Sequence, residues 1–160
     1  MPIVLRHNEK LELNRIQYSG SVTLAELTAL AEFQAANPTW LTFDSLALVT
    51  PGADFLTIDK TALDALYAKY AELFSPMHFL ILRRSAWICL SPAAEEHVRY
   101  WLGDRDTRET VSSDVRRFDT FPEAGEWLVL NQSAATALES GTGFEEIFRA
   151  HIPPTRGFTR

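Results

Sequence analysis

From Ile3 to Leu130, β-rich apolar runs alternate with capped amphipathic helices, and this alternation admits few folds. IVLRH (3–7) and LELNRIQYSG (11–20) come first, separated by Asn8, Glu9 and Lys10. Leu11, Leu13 and Ile16 mix with polar partners, as in a partly exposed strand pair. Thr23-Leu-Ala-Glu26 follows. A hydroxyl three residues before a glutamate satisfies two orphan helix amides reciprocally, so Thr23 is expected to cap a helix. Leu24, Leu27, Leu30, Ala31 and Phe33 then recur at helical spacing until Asn37-Pro38 stops the run.

WLTFDSLALVT (40–50) predicts a buried strand near 40–43, with a second extended piece after it. A helix from Asp59 to Phe74 carries Leu63, Leu66, Tyr67, Tyr70, Leu73 and Phe74 on one face. MHFLILR (77–83) reads as the next strand, buried on both faces because its apolar run is nearly continuous. AWICL (86–90) suits either a continuation of that strand or an extended connector.

Ser91-Pro92 predicts a helix start and Gly103 its end, since proline in the first turn lacks only an amide that would be unbonded anyway. VRRF (115–118) is the last strand of the unit. Thr120 then caps a helix with Glu123 as its reciprocal partner, and Ala124, Trp127 and Leu128 face the sheet. Gly125 reads as a mild weakness in that helix.

The order β-β-α-β-α-β-α-β-α implies a mostly parallel sheet with an antiparallel first pair. Residues 1–130 form one α/β domain on this reading, with a mixed sheet of four or five strands packed with helices. Residues 131–160 read as a short helical C-terminal extension. Its apolar stripe of Phe144, Ile147, Phe148 and Ile152 is too short for a free helix, so it is expected to pack on the domain or on a second subunit.

The formal charge of −6 argues against nucleic acid as a partner, because that affinity comes largely from neutralising phosphates. The clusters Arg83–Arg84 and Arg116–Arg117, with Arg149, Arg156 and Arg160, read as solvated edge residues. The opening MPIVLRHNEKLELN lacks the apolar core of a signal peptide, and no run approaches the ~20 apolar residues of a membrane span. The lone Cys89 excludes an intramolecular disulfide. A cytoplasmic location is the expectation.

No catalytic, metal or cofactor constellation emerges. Cys89 sits in apolar WICL, which favours a buried, inert thiol, and Glu95-Glu96-His97 are consecutive on a helix and diverge. Asp54, Asp59 and Asp64 fit neither a helical face nor a calcium loop, and no glycine-rich phosphate motif is present. Trp40, Trp87, Trp101 and Trp127 each occupy apolar pattern positions, as core or interface residues would. If Asp44, Arg83–Arg84 and Phe118–Asp119 lie at the carboxyl ends of parallel strands, Arg83 and Arg84 are candidates to hold a small anion there.

Three segments together resemble the STAS-like fold of bacterial anti-sigma-factor antagonists, the SpoIIAA-like group. They are SGSVTLAEL (19–27), FLTIDKTALDAL (55–66) and VRRFDTFPEAGEWL (115–128), the last with Ala124-Gly-Glu-Trp127-Leu128 where the family often has Ala-x-x-Trp-Leu. The resemblance implies a small bacterial regulatory or protein-interaction domain, and the lack of a catalytic or cofactor constellation makes a non-enzymatic role without a cofactor the expectation. In that family a serine after the loop aspartate is phosphorylated. Here Asp59 takes the aspartate place, Lys60 the phosphoserine place and Thr61 the next hydroxyl, so the usual switch is expected to be absent. Asp59, Lys60 and Thr61 become the candidate partner-binding residues, with a protein partner or self-association expected. The alternative is a small-molecule or lipid-binding domain with a pocket between sheet and helices.

Overall fold

A computed structural model describes residues 2–76, 83–103 and 113–150. Its strands are β1 (Ile3–Asn8), β2 (Leu13–Tyr18), β3 (Asp44–Val49), β4 (Arg83–Cys89), β5 (Ser113–Phe118) and β6 (Glu145–Ala150). The helices among the described residues are α1 (Leu24–Ala36), α2 (Lys60–Phe74), α3 (Glu95–Leu102), α4 (Phe121–Trp127) and α5 (Gln132–Ser140), with short 3-10 turns at Pro38–Thr42 and Pro92–Ala94. The chain is α/β with one mixed sheet of six strands in the order β5-β4-β3-β2-β1-β6.

β2 through β5 pair in parallel, whereas β1 is antiparallel to both β2 and β6. From β2 to β5 the chain steps across the sheet in one direction. α1, α2 and α3 all cover one face, burying Leu27, Leu30, Leu63, Leu66 and Val98 against Ile16, Tyr18, Ala47 and Val49. α4 and α5 cover the other, where Ala124, Leu128 and Leu138 pack on Leu13, Leu46, Leu48, Ala86 and Ile88. These two helices carry the chain back across the sheet and deliver β6 to the edge opposite β5.

The caps form largely as the sequence dictates. Thr23 and Glu26 make the full capping box of α1, and Asp59 Oδ1 accepts from the Ala62 amide at 2.8 Å to start α2. Thr120 caps α4, but Glu123 accepts from its hydroxyl (3.0 Å) rather than from its backbone.

Elsewhere the structure departs from the pattern. Residues 40–42 lie in the 3-10 turn that Pro38 opens, and the strand starts later, at Asp44. Trp40 and Phe43 instead close over the His7 ring, with centroids 4.9 and 4.6 Å away. The strand expected at 77–83 falls, but for Arg83, outside the described residues, and AWICL supplies most of β4. Ser91 does not cap α3. Its hydroxyl, fully buried, donates to the Ala53 carbonyl, and the 3-10 turn intervenes before Glu95.

The expected helical extension is α5 followed by a strand. Phe144 is buried and Phe148 stacks on Phe33 at 4.5 Å, because β6 hydrogen-bonds along β1. Ile152 lies outside the described residues. Arg15, on the face that α5 covers, donates through Nε to the Leu138 carbonyl (2.8 Å) and through Nη2 to Glu139 (3.0 Å). It closes the carbonyl end of α5 with a cation, the sign that end favours.

Candidate functional site

Parallel pairing brings one row of each central strand under α1–α3. Ser45 lies opposite Ser85 and Ala47 opposite Trp87 in the β3–β4 register. Ile16 pairs with Ala47 across β2–β3, and Ser85 with Val115 across β4–β5. Branched residues usually fill such a face beneath helices. Here the middle of the row holds Ser45, Ala47 and Ser85, all buried and all small.

Large rings stand around these small residues. Trp87 stacks on Tyr18 at 5.7 Å and an interplanar angle of 17°. Tyr70 meets Phe74 edge-on at 5.1 Å and Trp101 at 5.8 Å. Small side chains between tall ones leave a cavity of about 110 Å³ between sheet and helices, lined mostly by aliphatic and aromatic groups. It is of the order of volumes that accept a benzene-sized molecule.

The polar groups in the lining are few. The Ser45 hydroxyl donates to that of Ser85 at 3.2 Å, inside the core. His97 Nε2 hydrogen-bonds the Ile58 carbonyl at 2.7 Å, which makes it the protonated nitrogen in the neutral ring and leaves the buried Nδ1 as an acceptor without a partner. Arg83, first residue of β4, is 9% exposed. Its buried Nε also has no hydrogen-bond partner among the described residues.

Burial pushes the Arg83 guanidinium down to about 10, still protonated at neutral pH, while Tyr70 and Asp44 pull the other way. Burial likewise pushes the Tyr70 hydroxyl up to about 12, with the Arg83 charge opposing, and raises Tyr18 further. Both phenols are therefore neutral donors at neutral pH. Among the described lining residues no carboxylate is present, and Arg83 carries the one fixed positive charge.

The placement of Arg83 and Arg84 at the carboxyl ends of strands, on which the anion-site expectation rested, is not found. Both residues open β4, and Asp44 opens β3, so all three lie at the amino ends. Successive strand residues point to opposite faces. Arg83 enters the cavity, whereas Arg84 lies on the α4 side, donating to Asp44 Oδ2 (3.1 Å) and to the Trp127 carbonyl (2.7 Å). Only Phe118 and Asp119 stand at the carboxyl end of a strand.

Asp59, Lys60 and Thr61 lie apart from the cavity lining, at the start of α2. The Asp59 carboxylate caps the helix, the Lys60 ammonium sits 5.3 Å from the Tyr100 ring centroid, and Thr61 is exposed. The residues missed from sequence are Ser45, Ser85, Tyr70, Trp87 and Trp101, which helical and strand periodicity assign to ordinary core. Two serines at sheet positions that pattern as buried were the available signal.

Among the described residues no three His, Cys, Asp or Glu side chains gather as a metal ion requires. No described helix is long and apolar enough to cross a membrane. No family model, curated protein or solved structure matches this chain, so the α/β architecture stands without a family assignment.

Proposed function

We propose that this chain is a binding domain for a small, largely apolar molecule held between the sheet and α1–α3. The observation that carries this reading is the cavity of about 110 Å³ walled by Tyr18, Tyr70, Trp87 and Trp101 over a floor of Ser45, Ala47 and Ser85. An apolar pocket with a few convergent polar groups is the common form of a small-molecule site. Among the described lining residues no nucleophile is paired with a base, and the apolar walls favour binding.

The test is saturable binding of benzoate, phenylacetate, hexanoate, benzyl alcohol or indole, followed by amide chemical shifts and thermal stabilisation. Ala47→Leu places three further carbons on the cavity floor. It should stay folded, because the space exists, and should lose the binding. No saturable binding by any of the five compounds, or binding unaffected by Ala47→Leu, would refute the reading.

A second reading, a STAS-like regulatory domain docking a protein in the cytoplasm, draws on the loop before α2. Leu56 there is 70% exposed, beside exposed Lys60 and Thr61. Lys60→Glu should weaken any partner recovered by pull-down. A complex indifferent to that charge reversal removes the loop from consideration.

A further inference from the structure

We propose that the cavity takes a compact monocarboxylate with an apolar body, its carboxylate paired with the Arg83 guanidinium. The proposal rests on the pocket reading and adds the chemical class of the ligand.

Of three arginines on the central strands, two hold hydrogen-bond acceptors through their guanidinium groups. Arg15 uses Nε, Nη1 and Nη2 on Leu138, Gln17 and Glu139 at 2.8–3.0 Å. Arg84 is held by Asp44 and by the Trp127 carbonyl. Arg83 alone enters the cavity, buried to 9% exposure with an unpartnered Nε. A buried cation short of hydrogen-bond partners is unfavourable, and here, among the described residues, only the coulombic pull of Tyr70 and of the Asp44 carboxylate, which Arg84 already holds, offsets its burial.

The surroundings specify what completes it. One fixed cation and no carboxylate among the described lining residues match a single negative charge rather than a phosphate dianion. The planar guanidinium fork fits the two oxygens of a carboxylate. Ser85 lies on the same face two residues along the strand, about 7 Å by strand rise, with Ser45 hydrogen-bonded to it. Beyond them the lining is apolar and aromatic, as the body of a small aryl or branched aliphatic acid requires. Arg83 is placed here as the group that touches the ligand's charge.

Benzoate, phenylacetate and hexanoate are compared with the neutral benzyl alcohol, benzamide and hexanol, using the wild type, Arg83→Met and Arg83→Lys. The acids should bind the wild type more tightly than their neutral counterparts. Arg83→Met should weaken the acids by roughly 10- to 100-fold while leaving the neutral compounds unchanged. Arg83→Lys keeps the charge without the fork and should fall between. It also serves if the methionine variant fails to fold. Unliganded Arg83→Met should melt no lower than the wild type, since an unpaired buried charge has been removed, whereas a purely structural arginine would lower the melting temperature. Equal binding of acids and neutral compounds, or acid affinity indifferent to both substitutions, overturns the carboxylate assignment and leaves the pocket standing. Failure of every compound to bind the wild type overturns both.

Discussion

Gly125→Ala should destabilise the protein even though alanine is the better helix former. Gly125 is buried within α4, where α5 crosses it. A Cβ built there would stand 2.9 Å from Ala135 Cβ and 3.7 Å from Ala135 Cα. Carbon atoms rest near 3.5–4.0 Å, so the helices would have to separate by roughly half an ångström or more. Overpacking of this kind costs about 1–3 kcal/mol, against a propensity gain of about 1 kcal/mol. The net expectation is a loss of about 1 kcal/mol, read from the midpoint of urea unfolding at constant m-value. A double-mutant cycle isolates the contact. Ala135→Gly removes the opposing methyl, so the double variant should be less destabilised than the sum of the singles by about 1–2 kcal/mol. A Gly125→Ala protein more stable than wild type, additive with Ala135→Gly, would refute the close approach of α4 and α5.

Arg15→Met should cost about 2–3 kcal/mol in the same assay, because two carbonyls at the end of α5 lose charged donors. Val129, 76% exposed, holds φ at +62° as the left-handed residue ending α4, a conformation costly for a β-branched side chain. Val129→Gly should therefore raise stability by about 0.5–1 kcal/mol, seen as a higher melting temperature. The Arg117 hydrogen bond holds the Glu95 carboxyl below the usual carboxylate range. A carboxyl lowered on folding adds stability above its unfolded value and loses it as pH falls through the folded one. Arg117→Gln should thus lower stability throughout the range above about pH 4.5 and converge with the wild type as pH falls, so that the acid limb of the stability–pH curve flattens.

Local chemistry was legible in the sequence because it is carried by residues a few positions apart. The caps at Thr23 and Thr120 and the alternation of strands with helices follow from neighbouring side chains competing for the same backbone groups. So does the inward face of Ala124 and Leu128. From these the α/β class and the parallel centre of the sheet could be inferred.

Contacts between distant segments decided the rest. Phe144, Ile147 and Phe148 have helical spacing, yet pairing with β1 from the far end of the chain puts Ile147 and Phe148 in a strand, with Phe144 just before it. Gly125 looked like a weakness until Ala135 arrived beside it. Arg83 and Arg84 read as one basic pair, but a strand sends neighbours to opposite faces, giving one an ion pair and the other a cavity. The cavity itself depends on Ser45, Ala47 and Ser85 meeting across two strands among aromatic side chains from four separate elements. Space between segments is a property of their packing, and the sequence alone determined only which segments there were to pack.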